Sequence, residues 1–503
     1  MSLQIYRVNR MERRSDDHIR LIAVSNRLPI RVVHKEKETQ IVPGAGGLVT
    51  ALAPVLRDRG GLWIGWSGSE FDPSHLGLLK EASKKTGYGL VPVPLNKEDI
   101  DYYYYGFSNE IIWPLFHDLQ SRCHFKPKYW YKYLLVNKKF AQVIKEQVGT
   151  NDYIWVHDYH LMHAAYYMRS LGLSQPKGFF LHIPFPPVDI FMKLPWRRMV
   201  LEALLHYDLI GFQTMRDKRN FLNCLSVLIP EVKIRRRGAI SDVKFDGRSL
   251  RVGAFPIGID YKSFARDSAS KEVAEAAWYL HEALPDRQVI LGIDRLDYTK
   301  GIPERLYAFS DALERFPELQ MRVSFVQVVV PSRSEVPEYQ ELKREIERIV
   351  GEVNGKFTQS GWVPIHYLYR SLDRTQLLAY YRLAEIALVT PLKDGMNLVC
   401  KEYCACNLEG KGVLILSEFA GAAAQLHRGA IMVNPYDIEG VSKAIFSAFS
   451  MPMDERAKRM KILRRAVRRK DIFWWVNTFL KAAFAKNLDA FPKEIAEEYI
   501  PKN

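Results

Sequence analysis

Two runs of this chain hold residue types suited to neutralising a diphosphate. In Asp294-Arg295-Leu296-Asp297-Tyr298-Thr299-Lys300-Gly301, a guanidinium and an ammonium five residues apart on one loop can both reach the same phosphate pair. A surface ion-pair cluster with Asp294 and Asp297 is the competing reading. In Asp394-Gly395-Met396-Asn397-Leu398-Val399-Cys400-Lys401-Glu402, a helix starting near Asn397 would present free N–H groups and the positive end of its dipole. Leu398 and Glu402 then share a face, so Glu402 can take a ribose diol while the amides hold the ligand. A structural pairing of Glu402 with an arginine is the alternative. A third run, Val42-Pro43-Gly44-Ala45-Gly46-Gly47-Leu48, can converge backbone N–H groups on a phosphate ahead of a helix. It matches neither the dinucleotide fingerprint nor a P-loop, and an ordinary tight turn competes with it.

A fourth group joins His157-Asp158-Tyr159-His160 to His182-Ile183-Pro184-Phe185-Pro186. The prolines fix the backbone after His182, which suits an imidazole or carbonyl placed at a reacting carbon; a strand-end histidine in the core is equally compatible. His157 and His160 lie too close along one loop for a metal pair, and no third ligand declares itself. Asp99-Ile100-Asp101 has a spacing that can hold a metal against a diphosphate, but no strand leads into it. No metal and no cofactor are expected.

The elements that must position these loops alternate short β-branched runs with longer helical patterns, an α/β reading with parallel sheets. Strands are expected at 21–24, 153–156, 178–182 and 209–212, then at 289–292, 323–330, 386–390, 413–417 and 431–433. Between them lie amphipathic helices such as 303–315, where Leu306, Phe309 and Leu313 share a face and Pro303 suits the first turn. Ligands of open parallel sheets sit beyond the carboxyl ends of the strands, where these loops fall. A length of 503 residues exceeds one ordinary core, and Phe255-Pro256-Ile257-Gly258-Ile259-Asp260 marks a join.

Charge and composition bound the partners. The net charge of +15 fits nucleic acid, small anions or plain solubility. Arg235-Arg236-Arg237 and the basic run 458–470 carry no interleaved aromatics for base stacking, and the latter is spaced like a solvated helix face, so neither nucleic acid nor a membrane is expected as partner. No apolar run is long enough to cross a bilayer, and Arg7, Arg10, Arg13 and Arg14 precede no signal-peptide core, which reads as a cytoplasmic protein. Cys123, Cys224, Cys400, Cys404 and Cys406 match no zinc spacing and read as buried thiols.

From about Leu21 to about Leu480 the chain resembles the trehalose-6-phosphate synthase family of retaining glycosyltransferases. The motifs are Ser25-Asn26-Arg27-Leu28-Pro29, Gly44-Ala45-Gly46-Gly47-Leu48, Trp63-Ile64-Gly65-Trp66-Ser67-Gly68, Tyr104 to Phe107-Ser108-Asn109, Trp113-Pro114, His157-Asp158-Tyr159-His160, Phe180-Leu181-His182-Ile183-Pro184-Phe185-Pro186, Gly211-Phe212-Gln213-Thr214, Arg295-Leu296-Asp297-Tyr298 and Asp394-Gly395-Met396-Asn397-Leu398-Val399. The resemblance implies the α/β GT-B architecture, two Rossmann-like domains facing a central cleft. The expected division is an extension over 1–20, an acceptor domain over 21–258, a nucleotide-sugar domain over 259–470, and a closing helical segment over 471–503 that could cross back.

The same resemblance implies a donor such as UDP-glucose and glucose 6-phosphate as acceptor. It assigns Arg295 and Lys300 to the diphosphate, Gly46 and Gly47 to the donor phosphate region, and Glu402 to the ribose. It also assigns Gly395, Met396, Asn397 and the amides of Leu398 and Val399 to the donor loop. Asp394 would hold the donor sugar's hydroxyls and His182 would lie over it. Arg27, Tyr104, Trp113 and Arg333 match the acceptor-phosphate positions, and Asp158 the acceptor hydroxyl. Leu372 falls at the base and replaces an aromatic residue of some relatives, so uridine, adenosine and guanosine remain candidates. Asp294 stands where some relatives carry glutamate. Glycerol 3-phosphate is the alternative acceptor, a non-catalytic sugar-phosphate sensor the alternative class, and a homo-oligomer is left open. No phosphatase-like module follows, so another protein is expected to remove the product phosphate.

Overall fold

A computed structural model describes residues 19–35, 38–44, 47–236, 238–284, 286–333, 336–485 and 495–499. The chain forms two compact units, one of Met1–Phe255 with Val476–Ala496 and the other of Pro256–Trp475 with Glu497–Asn503.

The first unit is built on β1 (Arg20–Arg27), β2 (Ile30–Lys35), β3 (Glu38–Pro43), β4 (Leu62–Trp66), β5 (Gly89–Pro92), β6 (Asp152–His157), β7 (Lys177–Phe180), β8 (Leu209–Phe212), β9 (Lys233–Arg235), β10 (Ile240–Phe245) and β11 (Arg248–Ala254). Nine of these make one sheet in the order β5-β4-β1-β6-β7-β8-β11-β10-β9, and β2 and β3 form a separate hairpin. From β5 through β11 all pairings are parallel. Helices cover both faces of such a sheet, which is why Leu21, Ile22, Ala23 and Val24 of β1 form an unbroken buried run. The β9–β10–β11 edge is antiparallel, a departure from the all-parallel expectation. Its strands alternate in burial and carry charge on the outer face, so they lack the apolar run that marks a central strand.

The second unit is built on β12 (Gln288–Arg295), β13 (Val323–Val330), β14 (Ile365–Tyr369), β15 (Ile386–Val389), β16 (Val413–Ser417) and β17 (Ile431–Val433). They form a parallel sheet in the order β14-β13-β12-β15-β16-β17. In each sheet the strand order reverses once beside the first strand, between β1 and β6 and between β12 and β15. At such a switch point the following connections run to opposite sides, opening a crevice at the carboxyl ends.

The helix Ile472–Phe484 starts in the second unit, and its residues from Val476 belong to the first. There the Phe479 ring stacks on Trp155 at 4.3 Å and meets Phe255 at 5.3 Å. Gly178 and Gly211 make room for it, since a Cβ on them would lie 3.0 and 2.8 Å from that ring. Cys224, Cys400, Cys404 and Cys406 are buried free thiols, whereas Cys123 is only half-buried, correcting the expectation for that residue.

Gly258 lies where the chain enters the second unit, and a Cβ there would sit 2.4 Å from the Lys470 carbonyl oxygen and 2.5 Å from the Asp471 carbonyl carbon. Backbone cannot rotate aside as a side chain can, so Gly258→Ala should destabilise the protein by about 1–3 kcal/mol. Urea unfolding checks it; an unchanged midpoint rejects the packing described.

Candidate functional site

In the first unit the parallel register brings the ends of β1, β4, β6, β7 and β8 to one edge. Arg27 is the exposed last residue of β1 and pairs in register with Trp66 at the end of β4. Its guanidinium lies 4.7 Å from the Trp66 ring and 5.1 Å from the Tyr104 ring, two cation–π contacts that orient the positive charge. Tyr104 belongs to a π-helix, Ile100–Ile112, a wide turn of backbone that tends to mark functional sites. Its ring stacks on His160 at 6.0 Å. The Asn109 amide donates to the Tyr104 carbonyl at 2.6 Å and accepts from the Tyr159 hydroxyl at 3.2 Å. Tyr159 in turn meets the Trp113 ring at 5.9 Å. Arg27, Tyr104 and Trp113 therefore share one connected aromatic cluster.

Across the β1/β6 switch point stands Asp158, with φ 75°, a region aspartate tolerates better than most residues. Its amide donates to the Phe180 carbonyl at 2.7 Å, and its carboxylate accepts from the His182 amide at 3.2 Å. His182 is not in a strand as expected; β7 stops at Phe180, and the prolines that follow supply no ladder N–H. Its Nε2 lies 3.2 Å from His157 Nδ1 and its Nδ1 lies 3.4 Å from the Gln213 amide nitrogen. Burial pushes the His182 imidazole down to about 3 and holds His157 far below the usual range, the neighbouring His182 adding to the latter. His182 is thus a ring with both nitrogens near polar partners. Gln213 was quoted in the Gly-Phe-Gln-Thr run but given no role from sequence; its place directly after β8, the strand beside β7, was the missing signal.

In the second unit Arg295 is the exposed last residue of β12. The turn Tyr298–Lys300 follows, then Gly301 with φ 62°, where a Cβ would meet the Thr390 carbonyl at 2.4 Å. Lys300 is thereby aimed across the β12/β15 switch point, and its Nζ donates to Asp394 Oδ2 at 2.6 Å. The Asn397 amide donates to the same oxygen at 3.2 Å. Asp294 and Asp297 are not a surface cluster. Asp294 is buried against the Arg305 guanidinium at 2.7 Å; burial raises its pKa, with Arg305 opposing. Asp297 is buried too, but Arg333, Lys300 and Arg295 outweigh that burial and hold its carboxyl below the usual range.

Arg333 lies in the loop after β13, with Nη1 3.6 Å from Asp297 Oδ2. It stands beside the Arg295 and Lys300 loop of the second unit, while the other acceptor-phosphate candidates, Arg27, Tyr104 and Trp113, stand in the first. The loop carrying Gly395 and Met396 is sutured to a neighbouring turn: the Gly421 amide donates to the Asp394 carbonyl at 3.1 Å and the Ala422 amide to the Met396 carbonyl at 2.9 Å. Gly421 has no space for a Cβ, which would approach the Gly395 carbonyl to 1.9 Å.

The helix is Val399–Cys406, beginning two residues later than expected because Asn397 takes φ 69°. Among the described residues the amides of Leu398 and Val399 donate to no protein acceptor. One turn on, Glu402 accepts from the Tyr381 hydroxyl at 2.8 Å; burial raises its pKa and that hydrogen bond opposes it. Its hydrogen-bond partner is a tyrosine, and the Arg374 charge also acts on it to lower the pKa. Tyr381 belongs to the helix Arg374–Leu383, whose capping box of Asp373 and Gln376 follows half-buried Leu372 directly, so Leu372 and Glu402 are positioned through one element. Gly47 opens the helix Gly47–Arg59; Gly46 lies outside the described residues.

Asp99 closes a capping box with Asn96 and pairs with Lys132 at 3.5 Å and with Lys139. Among the described residues no three histidine, cysteine or acidic side chains stand together as a metal site, and no helix is long and apolar enough to cross a membrane.

The pattern of Glycosyltransferase family 20 matches residues 19–484. A trehalose-6-phosphate synthase of Mycolicibacterium vanbaalenii is 42% identical over 471 residues, 92% of this chain and 96% of that one. A UDP-forming alpha,alpha-trehalose-phosphate synthase of Burkholderia xenovorans, solved in complex with glucose-6-phosphate, superposes with TM-score 0.83 at 35% identity, over 92% of this chain and 100% of that one. An E. coli trehalose-6-phosphate structure bound with UDP-2-fluoro glucose gives TM-score 0.83 at 37% identity, over 92% and 98%.

The His182 ring yields a stability test. Its folded pKa of about 3 lies below the 6.5 of a free histidine, so the unfolded chain binds the proton first as pH falls. Stability attributable to this ring is complete above pH 6.5 and drains as pH falls towards 3. His182→Gln should flatten that acid limb of the melting temperature; an identical limb in both proteins contradicts the burial described.

Proposed function

The chain belongs to Glycosyltransferase family 20, and on that premise we propose that it transfers glucose from UDP-glucose to glucose 6-phosphate, with retention, giving trehalose 6-phosphate and UDP. The arrangement that carries this reading is the Lys300–Asp394 pair at the β12/β15 switch point, with the free amides of Leu398 and Val399 and the Glu402 carboxylate beside it. Support for the two substrates comes from the relatives solved with glucose-6-phosphate and with UDP-2-fluoro glucose.

Each residue has a task in that chemistry. Breaking the sugar–diphosphate bond builds charge on the leaving oxygen, and Arg295 and Lys300 offset it. A fixed donor of this kind is worth about 3 kcal/mol in the transition state. When donor binds, its phosphates take Lys300 and its sugar hydroxyls take Asp394, so the pair exchanges one another for substrate and neither charge is left bare. Glu402 takes the ribose, Leu372 lies at the base, and Gly46, Gly47, Gly395, Met396 and Asn397 shape the phosphate and sugar surroundings. Arg27, Tyr104, Trp113 and Arg333 take the acceptor phosphate and Asp158 its attacking hydroxyl.

Retention requires the hydroxyl to enter on the face the diphosphate leaves. The departing phosphate oxygen is then the nearest base for its proton, and no enzyme nucleophile is called for. His182 agrees with this, since burial lowers its pKa and makes it a poor proton acceptor. The nucleotide sugar and hexose phosphate put the reaction in the cytoplasm.

Product analysis with UDP-glucose and either glucose 6-phosphate or glycerol 3-phosphate tests the assignment; trehalose 6-phosphate with an α,α linkage by NMR is expected, and product only with glycerol 3-phosphate overturns it. Arg295→Ala should lower kcat/KM by about a hundredfold or more with an unchanged melting temperature. Arg333→Ala should chiefly raise KM for glucose 6-phosphate, and an unchanged KM removes it from the acceptor group.

A further inference from the structure

Lys401 takes no part in the chemistry above, yet it lies inside the donor motif and is 1% exposed. Its Nζ donates to the Ile257 carbonyl oxygen at 2.6 Å, and among the described residues no carboxylate lies within ion-pair distance. Removing an ammonium from water without a counter-ion is unfavourable, and a methionine would fill the same space without that penalty. Burial pulls the Lys401 pKa down to about 7, the Cys400 thiol opposing and Lys470 adding to it. A polar tip buried at such expense calls for a geometric reason.

That reason is at the two ends of the side chain. At its root, Lys401 belongs to the helix Val399–Cys406, between the free amides of Leu398 and Val399 and the Glu402 carboxylate. At its tip, Ile257 adjoins Gly258, which is wedged against the Lys470 and Asp471 backbone with no space for a Cβ. The next residue, Ile259, accepts from the Ile472 amide at 3.0 Å. The side chain therefore moors the helix to doubly braced backbone.

We propose that Lys401 is a positioning residue for nucleotide-sugar binding: its tether to Ile257 sets the height of the helix, so that the Leu398 and Val399 amides and the Glu402 carboxylate meet the nucleotide together. This rests on the donor assignment proposed above. The ammonium makes a stronger bond to the carbonyl than the free amine does, so the tether slackens as pH rises through about 7. The titratable groups facing it are Cys400 and Lys470.

The test uses the full-length protein, calorimetry with UDP, and steady-state kinetics. Lys401→Met removes the donor; Lys401→Gln keeps an N–H without the charge. Lys401→Met should weaken UDP binding and raise KM for UDP-glucose about tenfold, the scale of one charged hydrogen bond, while KM for glucose 6-phosphate and saturating kcat stay put. Lys401→Gln should recover most of that loss. Wild-type UDP affinity should decline as pH passes upward through about 7, and both variants should lack that limb; should Lys401→Met fail to fold, Lys401→Gln and this limb decide. Variants that bind UDP as tightly as wild type at every pH overturn the proposal, as does an equal loss for both substrates with a lowered melting temperature, which marks packing alone. Arg295→Ala separates the two readings: if it weakens UDP binding and the Lys401 variants do not, only the tether falls, and if none does, the donor assignment falls with it.

Discussion

The candidate site in the second unit hangs on one buried guanidinium. Arg305 is 1% exposed and bonds Asp294 at 2.7 Å, the Thr390 hydroxyl at 2.9 Å, Gln327 at 3.2 Å and the Lys300 carbonyl at 3.2 Å. Those partners come from β12, from the end of β15, from β13 and from the turn that aims Lys300. Gly292 carries no side chain for the same reason, since a Cβ would lie 2.6 Å from the guanidinium. A buried cation is tolerated only where hydrogen bonds replace its water, and here the replacements are the strand ends that frame the switch point. The register of β12 against β15 and the direction of Lys300 are fixed by one group.

A second layer of charge control follows from it. Lys300, Arg295 and Arg333 surround Asp297, whose carboxyl they hold ionised, and Lys300 also meets Asp394. Two carboxylates among three cations leave the loop positive, and Lys300 and Arg333 are each directed by a carboxylate partner. Directed charge loses less rotamer freedom on binding than free charge. In the first unit a charge is directed by different means: the Arg27 guanidinium lies over the adjoining Trp66 and Tyr104 rings, which orient it.

Both clusters obey one rule of parallel sheets. Strands that run the same way finish at the same edge, and crossovers leaving in opposite directions cannot cover the gap between them. Arg27 and Asp158 flank the β1/β6 gap, and Lys300 and Asp394 flank the β12/β15 gap. The glycines at 301 and 421 are consequences of that crowding, each placed where a second backbone comes too close for a Cβ.

The amino-acid sequence by itself determined where most of the central strands run and which distinctive loops follow them, though it left the buried β4 and β5 unread. Unbroken β-branched stretches and glycine-rich or cationic turns are local signals, and the central strands and the Arg295, Lys300 and Asp394 runs were legible from them. Short or half-exposed elements such as β9, β10 and β14 were not, because their apolar pattern is too brief to stand above their surroundings. Strand order, the burial of Asp294 and Asp297 against Arg305 and Arg333, the tyrosine that meets Glu402 and the rings that hold His182 were decided only in the tertiary structure. Each depends on residues far apart in the chain brought together by packing, and no local pattern encodes which distant partner a buried charge will find.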